Sequence, residues 1–271
     1  MITLRQINAF LLSNIRRLYF ENPLRHYELV HGMLYSLETM EGFFDTSRGI
    51  VTAYMLVFRE RNSPRVVVHR WSSEIESAAR SHVVSRFREF RMIALDPEAS
   101  EGIEELLSES MVFNKVRIRD FVVDEDSFRG STDAEKAIRL TPVYNARQVS
   151  RFLTLHGVEM TTEEAAKFLA ERRCYGVFDS RGELTALACR RVCLREVWTI
   201  EDMLCSANHL DDLRNALEMI SRDAVMSGAR VLALVPETRT ELEPLLKDLG
   251  YRHVGHRTLY IAKRVRAQTQ N

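Results

Sequence analysis

The sequence predicts an α/β (α+β) protein of two tandem domains, each a mixed, mostly antiparallel sheet flanked by helices. Three observations carry this expectation. Residues 91–107, RMIALDPEASEGIEELL, and residues 230–246, RVLALVPETRTELEPLL, align without a gap at 8 of 17 positions, and each reads as an apolar strand, a proline-marked turn and a helix. An echo lies upstream of each copy: residues 44–53, FDTSRGIVTA, match residues 178–186, FDSRGELTA, with one residue deleted. Both matches share an offset of about 135 residues, too long for a solenoid repeat of ~20–50 residues and suited to a duplicated domain. Finally, the same order of helical periods and short apolar runs recurs in both halves.

In the first half, Ile7, Phe10, Leu11, Ile15, Leu18 and Tyr19 fall at helical spacing over residues 4–20. Asn22-Pro23 starts a second helix to about Leu37, with proline at the first helical position. A hairpin follows over residues 40–59, turning at Ser47-Arg48-Gly49, where glycine supplies a positive φ. Residues 65–71 are a Val-rich strand, and Ser72 or Ser73 caps the next helix, with Glu74 and Glu76 favoured in its first turn. The first copy of the repeat comes next, and residues 111–123 close the half as a strand pair or one long strand.

The polar residues 124–138 are the expected linker between a domain at 1–123 and a domain at 139–271. In the second half, residues 140–143 read as a short strand, Asn145 as the cap of a helix to about His156, and Thr161 as the start of another helix. Residues 174–179 and 183–194 form the second hairpin, residues 196–205 a long strand and residues 211–227 a helix. The second copy of the repeat follows, then a closing strand at 253–263 and a frayed tail.

Composition narrows the function classes. At 45% hydrophobic and 28% charged, the chain buries real cores. Its 38 basic residues balance 38 acidic ones, so no basic stripe points to nucleic acid or a membrane surface. No apolar run approaches the ~18 residues of a span. The four cysteines, Cys174, Cys189, Cys193 and Cys205, lack CxxC spacing and are expected as buried free thiols of a cytoplasmic protein. His253 and His256 alternate faces along a strand, which argues against a metal site.

The element order, together with the segment LVPETRTELEPLLKDLGY, resembles the GNAT superfamily of CoA-dependent N-acyltransferases. The likeness covers residues 140–263 and extends through the repeat to 23–123. A weaker GNAT-like half ahead of a better-kept one is similar to the arrangement of the glycine N-acyltransferase group. The resemblance implies an N-acyltransferase that takes acetyl-CoA or another acyl-CoA as co-substrate and a small-molecule or peptide amine as acceptor, with no metal. The amine is expected in a groove between the halves.

In that family a loop after the fourth strand, (Gln/Arg)-x-x-Gly-x-(Gly/Ala), turns backbone N–H groups toward the pyrophosphate of CoA, aided by the helix dipole. Here His209, Asp212 and Arg214 take the three motif positions, and neither glycine is present. A carboxylate at Asp212 opposes a pyrophosphate by about 1 kcal/mol at 4 Å in water. Asn208 or Ser206 is expected to cap this helix internally, with Asp211 as the third-position partner of Asn208. The first half lacks the loop as well: Glu74 puts acid where phosphate would sit.

The resemblance implies that Met203, Leu204 and Cys205 at the end of the strand, and His209, Leu213 and Arg214 at the start of the helix, hold the acyl-CoA. It implies a carboxylate base on the fourth strand, and Glu201 is the candidate, with Asp202 expected on the opposite face. Apolar neighbours favour a raised pKa for either carboxylate, while pairing with an arginine is the structural alternative. The family's usual tyrosine acid maps to Leu246, leaving Tyr251 as the candidate acid ahead of Cys205 and His209. The competing function class is a catalytically inactive GNAT-like module that binds a ligand or a protein. The lost glycines, Asp212 and Leu246 favour it; Glu201 and the intact strand-helix framework favour the enzyme.

Overall fold

The computed structural model describes residues 2–3, 8–60, 63–130 and 136–264. The chain divides into two compact units, Met1–Arg119 with Gly255–Asn271, and Asp120–Val254.

The first unit opens with β1 (Ile2–Thr3), α1 (Ala9–Glu21) and α2 (Pro23–Tyr35). Asn8 and Asn22 cap the two helices, each accepting from an N–H of the first turn. Then come the hairpin β2 (Met40–Ser47) and β3 (Ile50–Phe58), and β4 (Arg65–His69). Ser72 caps α3 (Ser73–Ala79), which widens into a π-helical turn at Arg80–Val84. β5 (Glu89–Ala94), α4 (Pro97–Ser108) and β6 (Met111–Val123) follow, β6 running as one long strand. Residues 4–7, where the sequence begins its first helix, lie outside the described residues.

The second unit holds β7 (Ile138–Arg139), α5 (Pro142–Leu155), α6 (Thr162–Glu171), β8 (Arg173–Phe178) and β9 (Leu184–Cys193). It continues with β10 (Val197–Cys205), α7 (Leu210–Met226), β11 (Arg230–Pro236) and α8 (Leu242–Asp248). The last strand, β12 (Arg252–Arg264), leaves this unit at Val254. The expected strand at 140–143 and cap at Asn145 are corrected: Pro142 starts α5 behind Thr141, the same first-position proline rule that holds at Pro23. Asn145 instead reaches back and accepts from the Thr141 N–H at 2.8 Å.

Within the first unit the sheet order is β1-β2-β3-β4-β5-β12, antiparallel except for the β4–β5 pair. Within the second it is β6-β11-β10-β9-β8-β7, with β10 and β11 parallel. Each sheet is covered on both faces. In the first unit one core joins the sheet to α3 and α4 through Val66, Ile75, Met92 and Ile103, and the other joins it to α1 and α2 through Leu11, Leu29, Phe44 and Leu56. In the second, Ile200, Leu217, Val231 and Leu246 pack under α7 and α8, while Val149, Leu169, Leu187 and Cys189 pack under α5 and α6. Each such side chain, fully buried, contributes about 1.5–3 kcal/mol.

The domain boundaries differ from those expected. The closing strand, assigned from sequence to the second domain, belongs from Gly255 onward to the first unit, where Thr258–Lys263 pair antiparallel with Glu89–Ala94 and Tyr260 enters the core. Conversely, the end of β6 belongs to the second unit, where Phe121 and Val123 join Val231 and Tyr251. An apolar strand pattern states which face is buried and leaves open which sheet edge receives it. Residues 124–130 of the stretch expected as a linker are docked as well, and residues 131–135 lie outside the described residues. Arg129 N–H donates to Leu249 O at 3.1 Å, Asp124 pairs with Arg252 at 2.7 Å, and Phe128 packs on the core. Gly250 is fitted to this contact. It has φ +91, and a Cβ there would overlap the carbonyl of Ser127.

The expectation of free thiols is corrected for two cysteines. Cys174 and Cys189 are directly opposed on β8 and β9 and form a disulfide, with Cα atoms 4.1 Å apart. A spacing of 15 residues carries no such signal until the hairpin register is known. Cys205 is a half-buried free thiol, and the Cys193 side chain lies outside the described residues. Among the described residues no helix is long and apolar enough to cross a membrane.

Candidate active site

β10 and β11 pair in parallel over only four positions, from Val197 with Arg230 to Ile200 with Ala233. Beyond them β10 runs on to Cys205 and β11 to Pro236 without pairing to each other. Polar backbone on the facing edges of both strands is therefore left to other partners. At the same point β10 is bulged against β9. Ile200 opposes Arg190 and Asp202 opposes Cys189, so Glu201 is skipped, and the step before it skips Arg191. Packing shows the result: Ile200 and Met203, three residues apart, both enter the core under α7, which strict two-residue alternation forbids.

The bulge interrupts simple alternation through Glu201 and Asp202. Each carboxylate ends on an arginine. Arg191 Nη1 donates to Glu201 Oε2 at 2.6 Å, with both side chains about a fifth to a quarter exposed. Arg172 pairs with Asp202 and stacks over Phe168 at 4.5 Å. Burial pushes the Asp202 carboxyl above its ordinary value; the Arg172 guanidinium opposes this and the neighbouring Glu201 adds to it.

At the end of β10, Met203 is buried, and its carbonyl accepts from Arg239 Nη1 at 3.3 Å. Leu204 is half-buried against the core under α5 and α6. The Cys205 carbonyl lies 3.0 Å from His156 Nε2. Burial pushes the Cys205 thiol up, Arg239 opposes this, and Glu241 and Asp212 add to it, so the thiol is a poor nucleophile.

The start of α7 differs from expectation. Asn208 takes a left-handed conformation, φ +66, and His209 occupies the cap position without a side-chain hydrogen bond to the first turn. Neither Ser206 nor Asn208 caps the helix, because the left-handed residue turns the chain before the first helical N–H groups. Asp212 points back instead, accepting from Thr185 Oγ1 at 2.7 Å and meeting His209 Nδ1 at 2.8 Å. Leu213 is fully buried, and Arg214 lies 3.4 Å from the buried Glu218. Tyr251 is buried beneath α7. Its hydroxyl lies 2.6 Å from Ser221 Oγ, and burial pushes its pKa far up.

An acyl-CoA fits this site in part. Uncapped N–H groups at the first turn of a 17-residue helix, next to diverging strands, suit a phosphate and an extended chain. The Asp212 carboxylate would oppose a phosphate there, and it is bound to Thr185 and meets His209.

The equivalent place in the first unit is closed. Asp96 Oδ2 lies 3.0 Å from His69 Nδ1 and accepts the Arg70 N–H at 2.9 Å, while Oδ1 accepts the Ala99 N–H at 3.0 Å. One carboxylate thus ties the end of β4 to the start of α4 just after β5. α3 is capped by Ser72, which accepts from Ile75 at 3.3 Å. Behind Asp96 and His69 lie His26 and Tyr54, joined at 2.9 Å, and burial lowers the His26 pKa to about 3.

Sequence reasoning singled out Glu201, Asp202, His209 and Asp212, and missed Arg191, Arg172, Thr185, His156 and Arg239. Those five lie 10 to 49 residues from their partners, and no periodicity marks them.

No family model and no curated protein matches the sequence. Solved structures do match in fold. A Drosophila protein aligns over 93% of this chain and 88% of its own, at 14% identity and a TM-score of 0.63. A tandem GNAT protein from the clavulanic acid biosynthesis pathway aligns over 90% of this chain and 89% of its own, at 13% identity and 0.58. A GCN5-related N-acetyltransferase-like protein from Streptococcus suis aligns over 93% and 99%, at 12% identity and 0.57. The repeated strand-turn-helix, the diverging parallel pair and these neighbours agree: the chain has the GNAT superfamily fold, carried in two units.

Proposed function

We propose that the second unit is a divergent acyl-CoA-dependent N-acyltransferase, with acetyl-CoA as first-choice donor and a small-molecule or peptide amine as acceptor. The observation that carries the reading is the divergence of β10 from β11 after Ile200, with the uncapped start of α7 five residues beyond Cys205. In this reading the pyrophosphate meets the N–H groups of the first turn of α7, helped by His209 and Arg214. The acyl arm runs along Met203, Leu204 and Cys205, with Leu213 beneath.

The amine nitrogen attacks the thioester carbonyl, a C–N bond forms, the C–S bond breaks and CoA leaves as the thiol. Glu201, placed out of the ladder by the bulge, takes the proton from nitrogen. Arg191 holds Glu201 in one orientation at rest. Tyr251 is enclosed against Ser221 and supports α7 in this scheme, leaving solvent to protonate the departing sulfur.

A second reading is favoured by Asp212 and by the arginine partners of both β10 carboxylates: a catalytically inactive GNAT-like module that binds a ligand or a protein. Thermal unfolding with acetyl-CoA separates the two. Ligand at 100 times its Kd adds about 2.7 kcal/mol, and no stabilisation at millimolar acetyl-CoA leaves only the inactive module.

A further inference from the structure

A cavity of about 600 Å³ lies in the first unit, on elements the acyl-transfer reading does not use. That volume falls within the roughly 300–1,000 Å³ of small-molecule sites. Its lining is mixed: Leu37, Met40 and Phe43 are apolar. Glu41, Arg59, His82 and Arg86 line it as well.

Glu41 is the centre of the polar groups. Arg59 pairs with it directly, whereas Arg86 Nη1 stands 3.7 Å and His82 Nδ1 3.9 Å from its Oε2. At those distances neither contact is a hydrogen bond. His82 Nδ1 is buried and has no hydrogen-bond partner, although its ring packs on Phe43 at 4.5 Å. A buried polar atom left this way is destabilising until it finds a partner.

The backbone is irregular where these groups are carried. The Ser85 N–H donates to Arg80 O, five residues back, widening the helix into a π turn. Such turns are rare and concentrate at functional sites. One carboxylate therefore faces a guanidinium and an imidazole at ion-pair distance without a hydrogen bond to either, beside the Phe43 ring.

We propose that this cavity binds a small organic monoanion, a carboxylate on a compact apolar body. The carboxylate meets the fork of Arg86 and the ring nitrogen of His82, and the apolar body lies against Phe43 and Leu37. Glu41 stays with Arg59 and sets the charge limit. A second negative charge on the ligand would face Glu41 and Glu38, so a monoanion is preferred over a phosphate dianion. The site needs no acyl-CoA, so its fate is separate from that of the transferase reading.

The test is a calorimetric titration of the full chain with benzoate, with benzamide as its neutral isostere. Benzoate is expected to bind, and benzamide at least about tenfold more weakly. Arg86→Gln should weaken benzoate about tenfold, while Glu41→Gln, which removes the opposing charge, should tighten it several-fold. Arg86 is half exposed, so the variant is expected to fold, and thermal unfolding checks this. Nuclear Overhauser contacts from the benzoate ring should fall on Phe43. No binding at millimolar benzoate, equal binding of benzamide, or an Arg86→Gln variant that binds as the parent does overturns the proposal.

Discussion

Arg191 and Glu201 are the residues skipped in the β9–β10 ladder, and their side chains meet at 2.6 Å. Two irregularities in neighbouring strands thus resolve into one ion pair at the point where β10 departs from β11. A regular strand would have followed simple alternation at this position. The bulge re-aims the carboxylate instead, and Arg191 orients it.

Glu201→Gln keeps the shape and the contact with Arg191 but removes the base. Turnover with acetyl-CoA and an amine should fall about 10²–10⁴-fold, with donor binding unchanged. The comparison is a steady-state assay of released thiol beside a calorimetric titration. An unchanged rate removes Glu201 from the chemistry.

Asp212→Asn keeps an acceptor for Thr185 while deleting the charge beside the start of α7. If a pyrophosphate sits there, relief of about 1 kcal/mol tightens acetyl-CoA about fivefold. Equal affinity of the two proteins places the phosphates elsewhere.

Asp96 gives a pH signature in the first unit. Burial pushes its carboxyl up, but the bonds from His69, Ala99 and Arg70 outweigh this and hold it below its ordinary value. A folded value below the unfolded one makes the contribution complete above the unfolded value of ~3.9 and removes it as pH falls through the folded value. Asp96→Asn keeps the α4 cap and should flatten this acid limb, read from urea midpoints between about pH 6 and pH 2. Parallel profiles for parent and variant would contradict the assignment.

The Cys174–Cys189 bond closes a loop of 15 residues, and such a loop is worth about 3 kcal/mol in the chain-entropy account. Cys174→Ala with Cys189→Ala should therefore lower Tm by several degrees without reductant and erase the effect of adding it. Non-reducing peptide mapping should find the two β-strand peptides joined. If reductant leaves Tm unchanged in the parent, the bond contributes no stability.

Local chemistry made much of the fold legible. Pro23, Ser72 and Thr161 mark helix starts because capping is settled within a few residues. The repeated strand-turn-helix was legible because both copies bury equivalent faces. What stayed hidden depends on register and on partners distant in sequence. The destination of β12, the opposition of Cys174 to Cys189 and the pairing of Arg191 with Glu201 are settled only when strands choose their neighbours. At α7 the sequence offered Ser206 and Asn208 as caps, and the left-handed turn at Asn208 overrode both.

The most direct test of the central claim is backbone amide mapping by heteronuclear NMR as acetyl-CoA is added to the full chain. The account expects the largest changes at the first-turn amides of α7, Leu210 to Leu213, and along Met203 to Cys205. Changes centred on Ser73 to Ile75 of the first unit, or none at all, would contradict it.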